Sequence, residues 1–399
     1  MIYWLIALCI LLFAMGYLFS KQNVFSPVTI TAAIWIVCLS LFLLLHHDLP
    51  PLSGRFFGSL ALWISTLSIG SFCVQSFRMS NTSTRDANIH VRNIFLLIST
   101  ICYPFLFIWA KQALAVGDTG NWALDLRMAA IGQSALGDDT YGGLNIILWN
   151  ITYTVELIYF TKKTWWRTAL PALYVLSFGF LTMSKIMFLS FFVMTLCILF
   201  FNKKIQIKHI AIGFIFLLTI MVSLQSIRHR NSLETEDQKE DFLVLYALSS
   251  MSAFDTLEPC SSNHWGENAF RIYYAITYKL GLSEIKPINP LLDFIDKPIV
   301  TNTYTGMYPF FKDFGKIGVG IFGLILGILF GFFFRKAQKG SIYCMIIYAY
   351  LSQAILMQYA ADSIFTGLAN FVKYMIIASL LFIPAKFTIK KAEIQNTPS

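Results

Sequence analysis

Charge is what this chain has least of. Lys, Arg, Asp and Glu together make up 13% of its 399 residues, about half the share usual in a soluble domain. No cytoplasm-type nucleotide signature is present either: no GxxxxGK[ST] occurs, and no GxGxxG opens a helix. The seven cysteines form no CxxC pair. Six of them (Cys9, Cys38, Cys73, Cys102, Cys197, Cys344) sit in apolar runs and only Cys260 lies in polar sequence, so neither a disulfide framework nor a zinc site is drawn from them. No internal repeat and no low-complexity linker appears. Together these absences exclude a soluble two-core enzyme, a nucleotide-binding domain and a disulfide-stapled module.

What remains is apolar. Hydrophobic residues make up 57% and aromatics 16%, with a mean hydropathy of +0.65. Apolar runs cover approximately 2–19, 27–45, 57–77, 94–110, 144–160, 168–182, 186–201, 210–226, 317–334, 342–359 and 364–384. That predicts an all-α polytopic membrane protein of about eleven helices, each near the ~20 residues a span requires. The first run lacks a basic leader and a small-residue cleavage site, so it reads as a span and not as a removed signal.

The formal charge of +9 is spread as orientation signals, which argues against a nucleic-acid partner. Alternate short loops carry Lys21; Arg78, Arg85 and Arg92; Lys162, Lys163 and Arg167; Lys203, Lys204 and Lys208; Arg335, Lys336 and Lys339; and Lys386, Lys390 and Lys391. Only Asp86 and Glu393 accompany them, whereas the opposite loops hold Asp118, Asp125, Asp138 and Asp139. The positive-inside rule makes the basic set cytoplasmic, the N-terminus external and the C-terminus internal. The chain then divides into 1–227, with helices one to eight and a moderate outer loop at 111–143; a large outer loop at 228–316; and 317–399, with the last three helices and a short cytoplasmic tail.

The large loop concentrates the chemistry. Its stretches 242–254 and 269–280 are aromatic and sparsely charged, which suits helices lying at the membrane interface. The proline-punctuated KPINPLLDFIDKP is expected to be irregular. Cytoplasmic loops are too short for an energy-supplying domain, so a reaction here needs a substrate already energised and reachable from the membrane. A sugar linked through diphosphate to a polyprenyl lipid meets that need. Arg228, Arg230 and Arg271, with Arg127 of the earlier loop, are candidate diphosphate ligands, because the guanidinium fork matches phosphate oxygens. The plainer reading is that they anchor helix ends at the interface. His264 in NHWGEN, near Glu267 and Asp255, is the candidate general base for an attacking hydroxyl, against the plainer reading of a solvated loop histidine. Charges within apolar runs are costly in lipid: Glu156 is expected to pair with Lys162 or Lys163, Lys185 and Asp362 to sit at outer helix ends, and Lys373 completes the set.

Three segments carry a family likeness. TNTYTGMYPFFKDFGKIGVGIFGLILG, LTMSKIMFL and LDLRMAAIG resemble an Asn-x-Tyr-Thr and Asp-Phe-Gly run entering a late helix, a Ser-Arg/Lys helix start and a loop arginine of the O-antigen (oligosaccharide repeat-unit) polymerases of the Wzy type. The resemblance implies a metal-independent, cofactor-free glycosyltransferase of the GT-C kind in the bacterial inner membrane. It would join undecaprenyl-diphosphate-linked repeat units at the periplasmic face, with membrane lipid and a chain-length regulator protein as partners. By position it lends roles to Arg127, Lys185, Asn302, Tyr304, Asp313 and Gly315. Lysine at 185, where the family has mostly arginine, offers phosphate a point charge in place of a fork. The family's arginine–glycine spacing is one residue short in both nearest matches, Arg127 with Gly137 and Arg271 with Gly281. Asp313 in the DFG run also reads simply as a helix N-cap. Two alternatives stay open: an O-antigen ligase, sharing architecture and leaving group, and a transporter or flippase of the same lipid-linked sugars.

Overall fold

The computed structural model describes residues 1–77, 85–132, 143–210, 248–289, 292, 295 and 301–384, with scattered positions between 212 and 223. Among them the regular structure is helical, with one isolated antiparallel bridge between Ile295 and Thr301. The helices are α1 (Ile2–Phe19), α2 (Pro27–Leu44), α3 (Gly54–Ser76), α4 (Ile89–Ala115), α5 (Trp122–Ala130), α6 (Gly143–Ile158), α7 (Trp165–Leu181), α8 (Lys185–Phe201), α9 (Ser249–Asp255), α10 (Arg271–Lys279), α11 (Tyr308–Gln338), α12 (Ile342–Met357) and α13 (Leu368–Leu380). Helices occupy every expected apolar span except 210–226, most of which lies outside the described residues.

Five of them, α1 to α4 and α11, are long and apolar enough to cross a bilayer; α8, α12 and α13 are apolar but shorter. Their outward faces carry bare apolar side chains, with Trp4 82% and Ile317 74% exposed. Such surface is stable only against lipid or another apolar partner. This is a helical membrane protein.

Helix starts follow local chemistry. Pro27 opens α2, where its missing N–H costs nothing. The side chains of Ser53, Asn88, Asn121 and Ser341 each accept a first-turn N–H at the starts of α3, α4, α5 and α12, the usual N-cap device. Helix α11 begins well before Ile317, where the hydropathy places it. The reason is Gly315, which takes φ 60°, ψ −150° in mid-run. The segment Tyr308 to Phe314 is a separate amphipathic turn, with Phe310 and Phe311 fully buried, joined to the long apolar span across that break.

The most extensive helix pair is α3 with α11, and glycine makes it possible. A methyl group at Gly327 would lie 2.1 Å from the Leu67 carbonyl oxygen, and one at Gly70 would lie 2.4 Å from that of Leu324. The two backbones touch, as small residues allow in membrane interfaces. Polar side chains within the bundle find partners across helices. Gln358 Oε1 accepts from Trp63 Nε1 at 2.8 Å while its Nε2 donates to Thr31 Oγ1 at 3.0 Å.

Glu156 corrects the expectation of a lysine partner. Arg92 donates to its carboxylate through Nε at 3.1 Å and NH2 at 2.7 Å. Arg167 does so from the other side at 2.9 and 3.0 Å. Two forks saturate one carboxylate, a geometry that the single ammonium of Lys162 or Lys163 does not offer. Arg92 also lies 4.1 Å over the Tyr159 ring, whose hydroxyl donates to Asp86. The cluster ties α4, α6 and α7 together at one end of the bundle.

Candidate functional site

The described part of the large loop folds onto the start of α11. Helix α9 anchors it: Asp255 accepts from Ser53 N at 2.7 Å and Ser53 Oγ at 2.6 Å, and Phe254 packs against Phe56 and Phe311. The chain then crosses the start of α11, where Cys260 N donates to Phe311 O. Gly315 lies under this crossing, and a side chain there would press within 3.3 Å of Cys260 Sγ. The break in α11 therefore makes room for the loop.

Two carboxylates then shape residues 262–269. Glu267, itself buried, accepts from Asn263 N at 2.9 Å and His264 N at 3.2 Å, closing a tight turn. Asp313 accepts from Ser262 Oγ, from Asn268 Nδ2 at 2.6 Å and from the backbone N–H of Asn268 and Ala269 at 3.1 and 2.7 Å. It latches the loop to α11. The NHWGEN turn is thus built by carboxylates reading backbone donors, the role Asx and capping groups play elsewhere.

Between this turn, the residues around the Ile295–Thr301 bridge and α11 lies a cavity of about 330 Å³. This is within the lower part of the ~300–1,000 Å³ range of small-molecule sites. One wall is amide and acid: Asn263, Glu267, Asn268 and Asn289. The floor is Tyr304 and Tyr308, whose rings lie 4.7 Å apart, with Lys312 one turn further on. Leu257, Ile288, Leu292 and Ile295 complete it. Lys312 Nζ donates to Tyr308 Oη at 3.2 Å. Glu267 uses one lone pair on each oxygen for the turn; a carboxylate offers about four such sites, so two remain for a ligand.

Arg271 stands behind this wall. Its Nε donates to Ile288 O at 2.7 Å and its NH1 to Thr366 O at 3.4 Å, joining the loop to the turn between α12 and α13. Burial pulls its pKa below the ordinary arginine value, and it remains a cation. On the far side of that turn, Asp362 accepts from Ile364 N and Thr366 N. Burial pushes its carboxyl up to about 6.

Of the expected site residues, Glu267 and Tyr304 line the cavity, Asp313 touches it through Asn268, and Arg271 braces its wall. His264 is exposed, its ring 6.5 Å from that of Tyr274. Asn302 is half-buried on the approach to Tyr304. Arg127 and Lys185 are on other elements: Ala123 of α5 and Phe188 of α8 share one apolar cluster with Met357, and neither Arg127 nor Lys185 lines the cavity. Arg228 and Arg230 lie outside the described residues. Sequence reasoning did not single out Asn263, Asn268, Asn289, Tyr308 or Lys312. For Tyr308 and Lys312 a signal existed: their four-residue spacing places them on one helix face, visible once YPFFKDF is read as helix.

No family model, curated protein or solved structure matches this chain.

Proposed function

We propose that this protein is a glycosyltransferase that polymerises undecaprenyl-diphosphate-linked oligosaccharide repeat units at the periplasmic face of the bacterial inner membrane, with about eleven spans and a GT-C-like architecture. The observation that carries the proposal is the cavity, because its chemistry is that of a saccharide site on a lipid-facing scaffold. Side-chain amides and a carboxylate suit sugar hydroxyls, and tyrosine rings suit the apolar faces of a pyranose. Orientation supports it as well. The cavity sits at the start of α11, whose other end carries Arg335 and Lys336 in its last turn. With those cations inside, the cavity is outside. On that orientation the segment before the Gly315 break, which carries Tyr308 and Lys312, lies at the outer end of the apolar span.

In this reading the acceptor sugar lies against Tyr304 and Tyr308, and Glu267 receives the proton of its attacking hydroxyl. The hydroxyl oxygen bonds to the anomeric carbon of the donor as that carbon's bond to diphosphate breaks, and the lipid diphosphate departs with the electron pair. Arg127, Lys185, Arg228 and Arg230 are the proposed diphosphate ligands, Arg271 and Asp313 hold the acceptor wall, and His264 is a second candidate base at its rim. The test is the surface polysaccharide of a clean deletion, resolved on a gel. Polymerase loss leaves core carrying single repeat units. Core with no unit, while polymer accumulates on the carrier lipid, indicates a ligase. Loss of all outward-facing units indicates a flippase, and an unchanged ladder overturns the proposal.

A further inference from the structure

We infer that α10 and Trp265 form a docking surface whose partner is the headgroup layer of the lipid leaflet at the Lys316 end of α11, an inference that rests on the membrane-spanning fold and is independent of the reaction proposed above. Helix α10 has two unlike faces. Tyr274 is buried, and its hydroxyl donates to Trp265 O at 2.7 Å. On the other side Tyr273, Ile276 and Leu280 are exposed, Tyr273 to 61%. Their spacing of three and four residues puts them in one stripe along the helix. Trp265, 75% exposed, and the exposed Leu282 extend this apolar surface past both ends of α10. The stripe itself carries no charge, and the exposed Lys279 flanks it, on a stem long enough to reach lipid phosphates.

Ring contacts set the depth of this surface. Phe270, the residue before α10, lies 5.9 Å from Phe322 and 6.1 Å from Phe314. Trp265 stacks on Phe270 at 5.4 Å and meets Phe314 at 5.3 Å. Phe322 stands six residues past Lys316, the exposed cation at which the apolar run of α11 begins. That is ~9 Å along the helix at ~1.5 Å per residue. Interfacial amphipathic helices sit ~5–10 Å into the boundary between headgroups and acyl chains, and α10 starts in that layer. The arm before Gly315 folds back to the same depth, with Phe310 stacked on Phe322 at 4.4 Å. Ile317 and Ile321 of α11 are bare as well, so Trp265 and the stripe continue the apolar surface of a membrane span. Trp and Tyr are the side chains that favour this layer, with an apolar body toward the chains and a polar tip toward water. A soluble partner would have to cover the stripe while leaving Ile317 and Ile321 in lipid; the bilayer meets both. Arg271 opens α10 and its Nε holds Ile288 O of the cavity wall. Docking therefore fixes the cavity at headgroup depth, where the polar head of a lipid-anchored ligand lies.

The test is photo-crosslinking of the full chain in nanodiscs of phosphatidylethanolamine and phosphatidylglycerol. The photoreactive residue p-benzoylphenylalanine stands singly in place of Tyr273, Ile276 or Leu280, and in place of Ile317 as the lipid-facing reference. All four are surface side chains, so each variant is expected to elute from gel filtration as the wild type does. After irradiation the mass of the intact protein is read. The expected result is a phospholipid adduct at all three α10 positions, with yields within about two-fold of that at Ile317. A covalent two-chain product at these positions hands the stripe to a second copy and overturns the inference. Protein without adduct at all three, beside a full adduct at Ile317, leaves the stripe in water and overturns it as well. None of these outcomes bears on which reaction the cavity performs.

Discussion

Two of the arginine-containing polar clusters among the described residues are built on opposite plans. At one end of the bundle Arg92 and Arg167 close around Glu156 with four hydrogen bonds, and all three side chains are wholly or largely buried, none above 15% exposed. That cluster offers nothing to a ligand. At the other end, among the described residues, Arg271 bonds to carbonyls, Lys312 to a tyrosine hydroxyl, and Glu267 to backbone N–H groups. Each is held in place and each keeps hydrogen-bonding capacity in reserve. Closed clusters stabilise a membrane fold, because an unpaired charge in lipid is expensive; open clusters around a cavity are where a ligand completes the set. In the proposed reading, saturation more than residue type separates the structural cluster from the candidate site.

The contrast can be broken from the structural side first. Gly327→Leu drives a side chain into the Leu67 carbonyl 2.1 Å away and separates α3 from α11. We expect the protein to vanish from membranes, measured as fluorescence-detected gel filtration of a tagged chain. Next, Glu156→Gln leaves two buried guanidinium groups without their counter-charge. A loss of about 3–5 kcal/mol is expected for such a broken buried pair, read as the thermal midpoint in detergent.

Asp313→Ala sharpens the comparison, because it cuts the latch without touching the bundle. The N–H groups of Asn268 and Ala269 and the Ser262 hydroxyl lose their acceptor, at about 1–3 kcal/mol for an unsatisfied group. Hydrogen exchange is expected to rise across 262–269 while α3 and α12 stay protected. The smallest effect is one of pH. The Asp362 carboxyl, raised to about 6, is more basic folded than unfolded. Its contribution is thus complete below the ordinary carboxylate pKa of about 4 and lost as pH rises through about 6. The melting temperature is expected to climb modestly from pH 7 to pH 5, and to stay flat over that window in Asp362→Asn.

How much of this could be read in the sequence differs between the same two regions. The apolar runs located ten helices, all but α11 within a few residues, and the first, 2–19, coincides with α1, because span length is fixed by apolarity alone. Short-range chemistry was visible too: the aromatic stretches of the large loop contain α9 and α10. The Glu156 cluster was not visible, since its arginines come from α4 and the start of α7, and nearness in sequence pointed to Lys162 and Lys163. Arg92, counted as an orientation signal, turned out to be a buried partner. In the site, Glu267 and Tyr304 were found as residues but not as neighbours, because the Asp313 latch that brings them together spans 45 residues. Lys312 was passed over because hydropathy starts the last long span at Ile317, beyond the Gly315 break.

The central claim, that the open cavity and not the closed cluster performs the reaction, is tested most directly by filling it. Leu292 lines the cavity, and Leu292→Trp occupies its volume without removing any of the hydrogen bonds described above. The measurement is the polysaccharide ladder of a deletion strain carrying this variant at wild-type membrane abundance. The account predicts core with single repeat units and no ladder, from a protein that melts at the wild-type temperature. A full-length ladder from that strain would contradict it.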